Sequence, residues 1–368
     1  MNIEKLLELT VEKEASDLHL TVPSHPVLRI DGALKHLEEL PRVTPEYARE
    51  AFEHLTTESQ RETLYSELGL DLAYNVPGLA RFRINIFFQR GTISIAIRRI
   101  SFQVPSIDEL GLPSTCKTLA LKTKGLVLVT GPAGTGKSTT LAAMINHLNK
   151  NDARHVITIE DPIEYIHHND KCIIAQRDLG DDFHSFPLAL RHTLRHDPDV
   201  ILVGEMRDLE TIATAITAAE TGHLVFTTVH TASAPQSVDR LIDIFPAHQQ
   251  EQIRFQISQV LIGVLSQCLL PRAGGKGRVA GFEIMLGTDA IRNLIREGRT
   301  DQIPTYLQTG RQHEMQTMDQ ALEDLVKSGA VTLDEALTRS TNPAELSKRI
   351  VSFSDLAWEE RVALPSIR

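Results

Sequence analysis

Residues Gly131-Pro-Ala-Gly-Thr-Gly-Lys-Ser138 fit the pattern G-x-x-x-x-G-K-[ST], and the flanks fit as well as the letters. Gly125-Leu-Val-Leu-Val-Thr130 before them reads as a buried strand. Thr139 to Leu148 after them reads as a helix, with Leu141, Met144, Ile145 and Leu148 on one face. A strand, a glycine-rich turn and a helix in this order form a phosphate loop. Its glycines let backbone N–H groups converge on phosphate oxygens, and the helix N-terminus adds the positive end of its dipole. Lys137 can neutralise β/γ charge and Ser138 can ligand Mg²⁺. Gly131, Pro132, Ala133, Gly134, Thr135, Gly136, Lys137, Ser138 and Thr139 are therefore the expected nucleotide-binding residues.

With 368 residues the chain is long enough for two domains. Its formal charge of −10 argues against wide, sequence-independent contact with nucleic acid, which needs clustered Lys and Arg. Cys116, Cys172 and Cys268 form no C-x-x-C pair, so neither a disulfide framework nor a zinc site is expected. The acidic start, Met1 to Thr10, is unlike a signal peptide, and no apolar run approaches the roughly 18 residues that span a bilayer. A cytoplasmic protein follows, one that reaches a membrane only through a partner.

Residues 1–100 read as a first unit. It opens with an amphipathic helix bearing Ile3, Leu6, Leu7 and Leu9, and continues with strand-like segments around Asp31-Gly32 and a helical stretch from Thr44 to Leu68. Arg81 to Phe87 and Thr92 to Arg98 then alternate with period two around Gln89-Arg-Gly91. Phe82, Ile84, Ile86, Ile93, Ile95 and Ile97 share the apolar face of this hairpin, and Arg81, Arg83 and Arg98 the other. By pattern alone those arginines read as a solvated face. Residues 101–113 read as a linker. Beyond them strands at 125–130, 155–160, 200–203 and 224–229 alternate with helices, which implies a parallel sheet with ligands at the strand C-terminal ends. From about 290 the chain is helical and polar, and 338–368 reads as a loosely held tail.

Hydrolysis needs a group that orients water, and three segments offer candidates. Glu160-Asp-Pro-Ile-Glu-Tyr165 follows an apolar strand, so Glu160 or Glu164 can be the general base. Asp197 to Asp208 resembles a Walker B strand, but Gly204 stands where a metal-binding Asp would end it. Mg²⁺ is therefore expected on Ser138, phosphates and waters, with Glu205 acting through a bound water. His223 and His230 bracket the last strand with odd spacing and so are not expected to share a metal; His230 falls at the end where a γ-phosphate sensor belongs. Arg191, Arg195 and Arg207 read as phosphate ligands or ion-pair partners.

Ala15 to Leu20, Arg81 to Asn85, Gly131 to Thr139, Thr158 to Tyr165, Gly204 to Asp208, Glu220 to His223 and Thr228 to His230 occur in an order and spacing that resembles the PilT family of type IV pilus motors. The resemblance implies an α/β chain in two domains. A PAS-like α+β domain (1–100) precedes a RecA-like P-loop NTPase core with a mostly parallel sheet (114–289), followed by a C-terminal helical region and tail (290–368). It also implies ATP with Mg²⁺ and a homohexamer in which the PAS-like domain packs on a neighbour. Arg81, Arg83 and Arg98 then become candidates to stabilise γ-phosphate charge, and His223 joins His230 in a nucleotide-binding His box. Ala290-Ile-Arg-Asn-Leu-Ile-Arg-Glu297 is similar to the family's retraction signature, and the missing four-cysteine site sets the chain apart from assembly and secretion motors. The implied partners are an inner-membrane platform protein of the PilC kind and a retraction paralogue, with neither nucleic acid nor direct membrane insertion. The implied location is cytoplasmic, peripheral to the inner membrane at the pilus base. The tail resembles that of paralogues such as PilU.

Overall fold

Alternating apolar residues, an even sheet register and tight turns build the first unit. The computed structural model describes residues 2–30, 32–100, 103–275 and 277–350. Asp31 of the expected turn, Ser101 and Phe102 of the expected linker, and residues 351–368 of the expected tail lie outside the described residues. The first unit runs α1 (Ile3–Glu12), β1 (Asp17–Leu20), β2 (Val27–Ile30), β3 (Ala33–His36), α2 (Pro45–Leu55), α3 (Glu58–Glu67), β4 (Gly69–Val76), β5 (Ala80–Gln89) and β6 (Thr92–Ile100). The strands pair in the order β3-β2-β1-β6-β5-β4, and every register recorded between them is antiparallel.

Gln89 pairs with Thr92, so Arg90 and Gly91 alone turn the hairpin, and both have positive φ (49° and 76°) as a two-residue type I′ turn requires. This register puts Phe82, Ile84, Ile86, Ile95 and Ile97 into one core with Leu7, Leu18, Phe52 and Leu64. The stretch from Thr44 to Leu68 is two helices, not one. Thr57 starts the second with a capping box: its side chain accepts from the Gln60 N–H while its own N–H donates to the Gln60 side chain.

The second unit supplies α4 (Thr115–Ala120), β7 (Gly125–Thr130), α5 (Lys137–Asn151), β8 (His155–Glu160), β9 (Ile173–Asp178), α6 (Phe186–Thr193), β10 (Val200–Val203), α7 (Leu209–Glu220), β11 (Leu224–Val229), α8 (Ala234–Asp243), α9 (Ala247–Val260), β12 (Leu261–Pro271), β13 (Arg278–Leu286), α10 (Asp289–Glu297), α11 (Ile303–Thr309), α12 (Met318–Lys327) and α13 (Leu333–Leu337). Its sheet runs β13-β12-β7-β11-β10-β8-β9. Pairing is parallel from β12 through β7, β11 and β10 to β8, and antiparallel between β12 and β13. The four expected strands are all present, joined by a long hairpin, β12 and β13, that the pattern did not resolve.

Two boundaries depart from the sequence reading. Residues from Val104 belong to the second unit: Ile107 is buried in its core and Asn146 donates to the Val104 carbonyl, so the described part of the expected linker is packed. Conversely, Pro162–His167 and Asp178–His184 belong to the first unit.

Helix α10 buries Ile291, Leu294 and Ile295 as its stripe predicts, and Gly298 ends it in the left-handed region (φ 70°). Arg292 turns back from this helix to donate to the Gly287 carbonyl after β13 and to the Ser258 and Gln259 carbonyls, which satisfies acceptors at the C-terminus of α9. Residues 338–350, the described part of the expected tail, are held, contrary to expectation. Leu346 is buried with Leu270, Met318 and Leu322, and the buried Asp319 carboxylate accepts from Ser340 Oγ (2.8 Å), Thr341 N (2.8 Å), Thr341 Oγ1 (2.7 Å) and Asn342 N (3.1 Å). Asp319→Ala is expected to cost about 2–4 kcal/mol, or roughly 5–10 °C in melting temperature, and to open residues 338–346 to protease. Calorimetry with limited proteolysis checks this; an unchanged digestion pattern refutes it. Among the described residues no helix is long and apolar enough to cross a membrane.

Candidate active site

Parallel strands deliver their C-terminal ends to one edge of the sheet, and the loop 131–136 leaves β7 at that edge. Gly131 is indispensable in position and in conformation: its φ is 143°, and a Cβ there would lie 2.4 Å from the Gln267 carbonyl oxygen. Gln267 braces the loop from β12. Its Oε1 accepts from Thr140 Oγ1 at 2.8 Å, and its Nε2 lies 3.1 Å from where a Gly136 Cβ would sit. Gly136 is the N-cap of α5 and gives no side-chain cap, so first-turn N–H groups are left for an anionic ligand.

Lys137 is buried, and its Nζ donates to the Gly131 carbonyl (2.8 Å) and the Pro132 carbonyl (2.9 Å) and lies 3.5 Å from His230 Nδ1. His230 Nε2 is 3.8 Å from Glu205 Oε2, and Glu205 Oε1 is 2.7 Å from Arg207 Nε. Burial, then the Lys137 ammonium, hold His230 below the usual histidine value, against the opposing pull of Glu205. Its imidazole is therefore neutral at pH 7, able to accept at Nδ1 from Lys137. A line of alternating charge and dipole, Arg207 to Glu205 to His230 to Lys137, thus connects the Walker B strand to the phosphate loop.

Gly204 has a steric reason. A Cβ at this position would lie 3.2 Å from the Ile159 carbonyl oxygen and 3.3 Å from Glu160 Cα, while its own N–H donates to Ile159 O at 2.8 Å and its carbonyl accepts from Thr228 Oγ1 at 2.6 Å. The ends of β8, β10 and β11 close on one another there, which leaves little room for an aspartate. Glu160 is held alongside by Thr158 Oγ1 (2.6 Å) and Gln176 Nε2 (3.3 Å). Among the described residues no three His, Cys, Asp or Glu side chains gather as a metal cage. The Ser138 hydroxyl, in the first turn of α5 behind the loop, is an oxygen donor of the kind that Mg²⁺ takes beside waters and phosphate oxygens.

The edge therefore unites Lys137, Ser138, Glu160, Glu205 and His230. His223 is not brought to it. This residue precedes β11 at the opposite end of the strand, where Nδ1 lies 2.9 Å from the Ala218 carbonyl at the end of α7. Glu164 lies in the Pro162–His167 segment of the first unit, as an exposed side chain. Arg81, Arg83 and Arg98 are in that unit too, each beside a carboxylate: Arg81 2.6 Å from Asp178, Arg83 3.7 Å from Asp71 and Arg98 2.8 Å from Asp17. Arg191 pairs with Glu210 and Arg207 with Glu205. Sequence reasoning missed Gln267, for which a glutamine inside the apolar run Leu261 to Leu270 was the available signal, and gave no role to Thr158 and Thr228, although both stand in the segments that carry the resemblance.

The model of the family described as type II/IV secretion system protein matches residues 2–342. The type IV pilus retraction ATPase PilT of Pseudomonas aeruginosa is 45% identical over 93% of this chain and 99% of its own. The type IV pilus ATPase PilU of the same organism is 41% identical over 96% of this chain and 93% of its own. A crystal structure of the pilus retraction motor PilT with bound ADP superposes with a TM-score of 0.88 at 46% identity, covering 95% of this chain and 99% of that one. The Legionella pneumophila ATPase DotB follows at a TM-score of 0.79 and 26% identity, covering 90% and 92%.

Proposed function

The chain belongs to the type II/IV secretion system protein family, and on that premise we propose that it is the ATPase that powers type IV pilus retraction and hence twitching motility. The observation that carries the reading is the edge where buried Lys137 meets His230 and Glu205, in a chain similar along nearly its whole length to a retraction motor. The loop N–H groups and Lys137 bind the β and γ phosphates of ATP, and a carboxylate takes a proton from the water that attacks the γ-phosphorus as the bond from that phosphorus to the bridging oxygen breaks and ADP leaves. Mg²⁺, held through Ser138 and through a water on Glu205, would neutralise phosphate charge. Neutral His230 reports the γ-phosphate, since it touches Lys137 on one side and the Walker B carboxylate on the other.

Glu164 is the base in this reading. Glu160 is committed to Thr158 and Gln176, whereas Glu164 is exposed and has no side-chain partner among the described residues. Arg98 best fits a phosphate ligand from the first unit: buried Asp17 takes its Nε, while the side chain is 68% exposed and presents its remaining N–H groups. In a homohexameric ring it would serve a neighbour's site. One ring face engages an inner-membrane platform protein from the cytoplasmic side.

An accessory, PilU-like role is the second reading, favoured by the 41% identity that spans 96% of the chain. Deletion in the native host decides. Loss of twitching with surplus surface pili is expected, absence of pili would overturn retraction, and full motility under low load would favour the accessory role.

A further inference from the structure

Asp178 is a buried carboxylate paired with an arginine of β5, and the proposed ATPase chemistry does not use it. Its side chain is only 3% exposed. Arg81 Nη2 donates to its Oδ2 at 2.6 Å; burial pushes the carboxyl pKa up, and the Arg81 guanidinium, with a smaller contribution from the Ile163 backbone N–H, pulls it back. The backbone around it is tied as well: Asp178 N donates to Asp182 Oδ2 (2.8 Å), Asp182 N to the Asp178 carbonyl (2.9 Å) and Gly180 N to the Phe183 carbonyl (2.8 Å). Thus one buried carboxylate joins β5, through Arg81, to the segment Pro162–His167, through Ile163. Ile163 is itself buried, and its neighbour is Glu164.

Arg81 differs from Arg98 in what it has left to offer. Its side chain is 20% exposed, one terminal nitrogen is spent on Asp178, and its Nε is buried without a partner among the described residues. Replacing a buried ion pair with apolar side chains often costs nothing, so such a pair is poor evidence of a role in stability; fixing one geometry is the role left to test. Here the geometry fixed is the approach of the carboxylate segment to β5.

We propose that Asp178 is a positioning residue: paired with Arg81 and facing the Ile163 N–H, it sets the backbone that carries Glu164, and Arg81 acts through it and not on phosphate. This rests on the reading of Glu164 as the base. A misplacement of about 1 Å at a reacting group can cost on the order of 10²-fold in rate, so a residue that never meets ATP can still govern turnover.

The test is steady-state phosphate release by the full-length assembled protein. Asp178→Asn and Arg81→Ala are each expected to lower kcat by about 10–100-fold while KM for MgATP moves less than about threefold. The double variant is expected to be no worse than the poorer single one, because both changes break one pair. Arg81→Lys, which keeps the charge and a donor for Oδ2, is expected to recover most of the Arg81→Ala loss. This also decides the matter should Asp178→Asn fail to assemble: Arg81→Lys as slow as Arg81→Ala overturns the proposal. Additive losses with a raised KM would make Arg81 a phosphate ligand and overturn it as well. Wild-type phosphate release that does not depend on Lys137 removes the ATPase reading and this role together. Lys137-dependent release with normal Asp178→Asn turnover removes this role alone.

Discussion

Lys137→Ala is expected to lower phosphate release by about 10³-fold or more at saturating ATP, because it removes the cation buried inside the loop that receives the phosphates. The ammonium donates to the Gly131 and Pro132 carbonyls, so its loss also takes that donor from the Gly131 carbonyl and leaves the Pro132 carbonyl with Thr135 Oγ1. Nucleotide affinity should fall with turnover, since a charge-assisted contact to phosphate serves the ground state as well as the transition state. His230 loses its neighbour in the same variant. With the ammonium gone, a group that lowers its pKa is gone, and His230 should titrate closer to the ordinary histidine range, a shift that NMR of the imidazole can read. Turnover by Lys137→Ala within about tenfold of wild type would sink the assignment of this loop as the hydrolytic site.

Elements defined by local pattern were legible in the sequence, and elements defined by a distant partner were not. The strands β7, β8, β10 and β11 are short apolar runs between punctuated turns, so their ends could be read to the residue. The type I′ turn at Arg90-Gly91 and the buried stripe of α10 were equally local. Strand β12 escaped because it begins at Leu261 directly after α9 ends at Val260: no glycine or proline separates them, and an apolar run there fits either period. The exchange of Pro162–His167 and Asp178–His184 into the first unit coincides with a pairing of Arg81 with Asp178, and no window of sequence contains both. Residues 338–350 look polar and loose in isolation. They are fixed by one leucine, Leu346, and by an aspartate on α12. At the active site the departure at Gly204 was visible, but its cause, the close approach of Ile159 and Glu160, is a property of packing. His223 was carried to the site by motif, whereas its ring caps the end of α7.

Glu164→Gln is expected to lower kcat by about 10²–10⁴-fold and to leave KM for ATP nearly unchanged, since the amide preserves size and one acceptor oxygen but cannot take a proton. The protein should then hold ATP without cleaving it, so single-turnover quench-flow and nucleotide retention on the purified ring form the measurement. Glu160→Gln separates the two carboxylates. Glu160 accepts from Thr158 Oγ1 at 2.6 Å and from Gln176, and a glutamine carbonyl can accept the first of these bonds just as well. Its loss should therefore be smaller, about tenfold, through a slightly displaced strand end and not through a missing base. If Glu160→Gln proves the more damaging of the two, the base is the group on β8 and Glu164 is a surface residue. Normal turnover in both variants would remove the Glu160 to Tyr165 segment from the chemistry, and water activation would then fall to Glu205, which already stands 3.8 Å from His230 beside the phosphate loop.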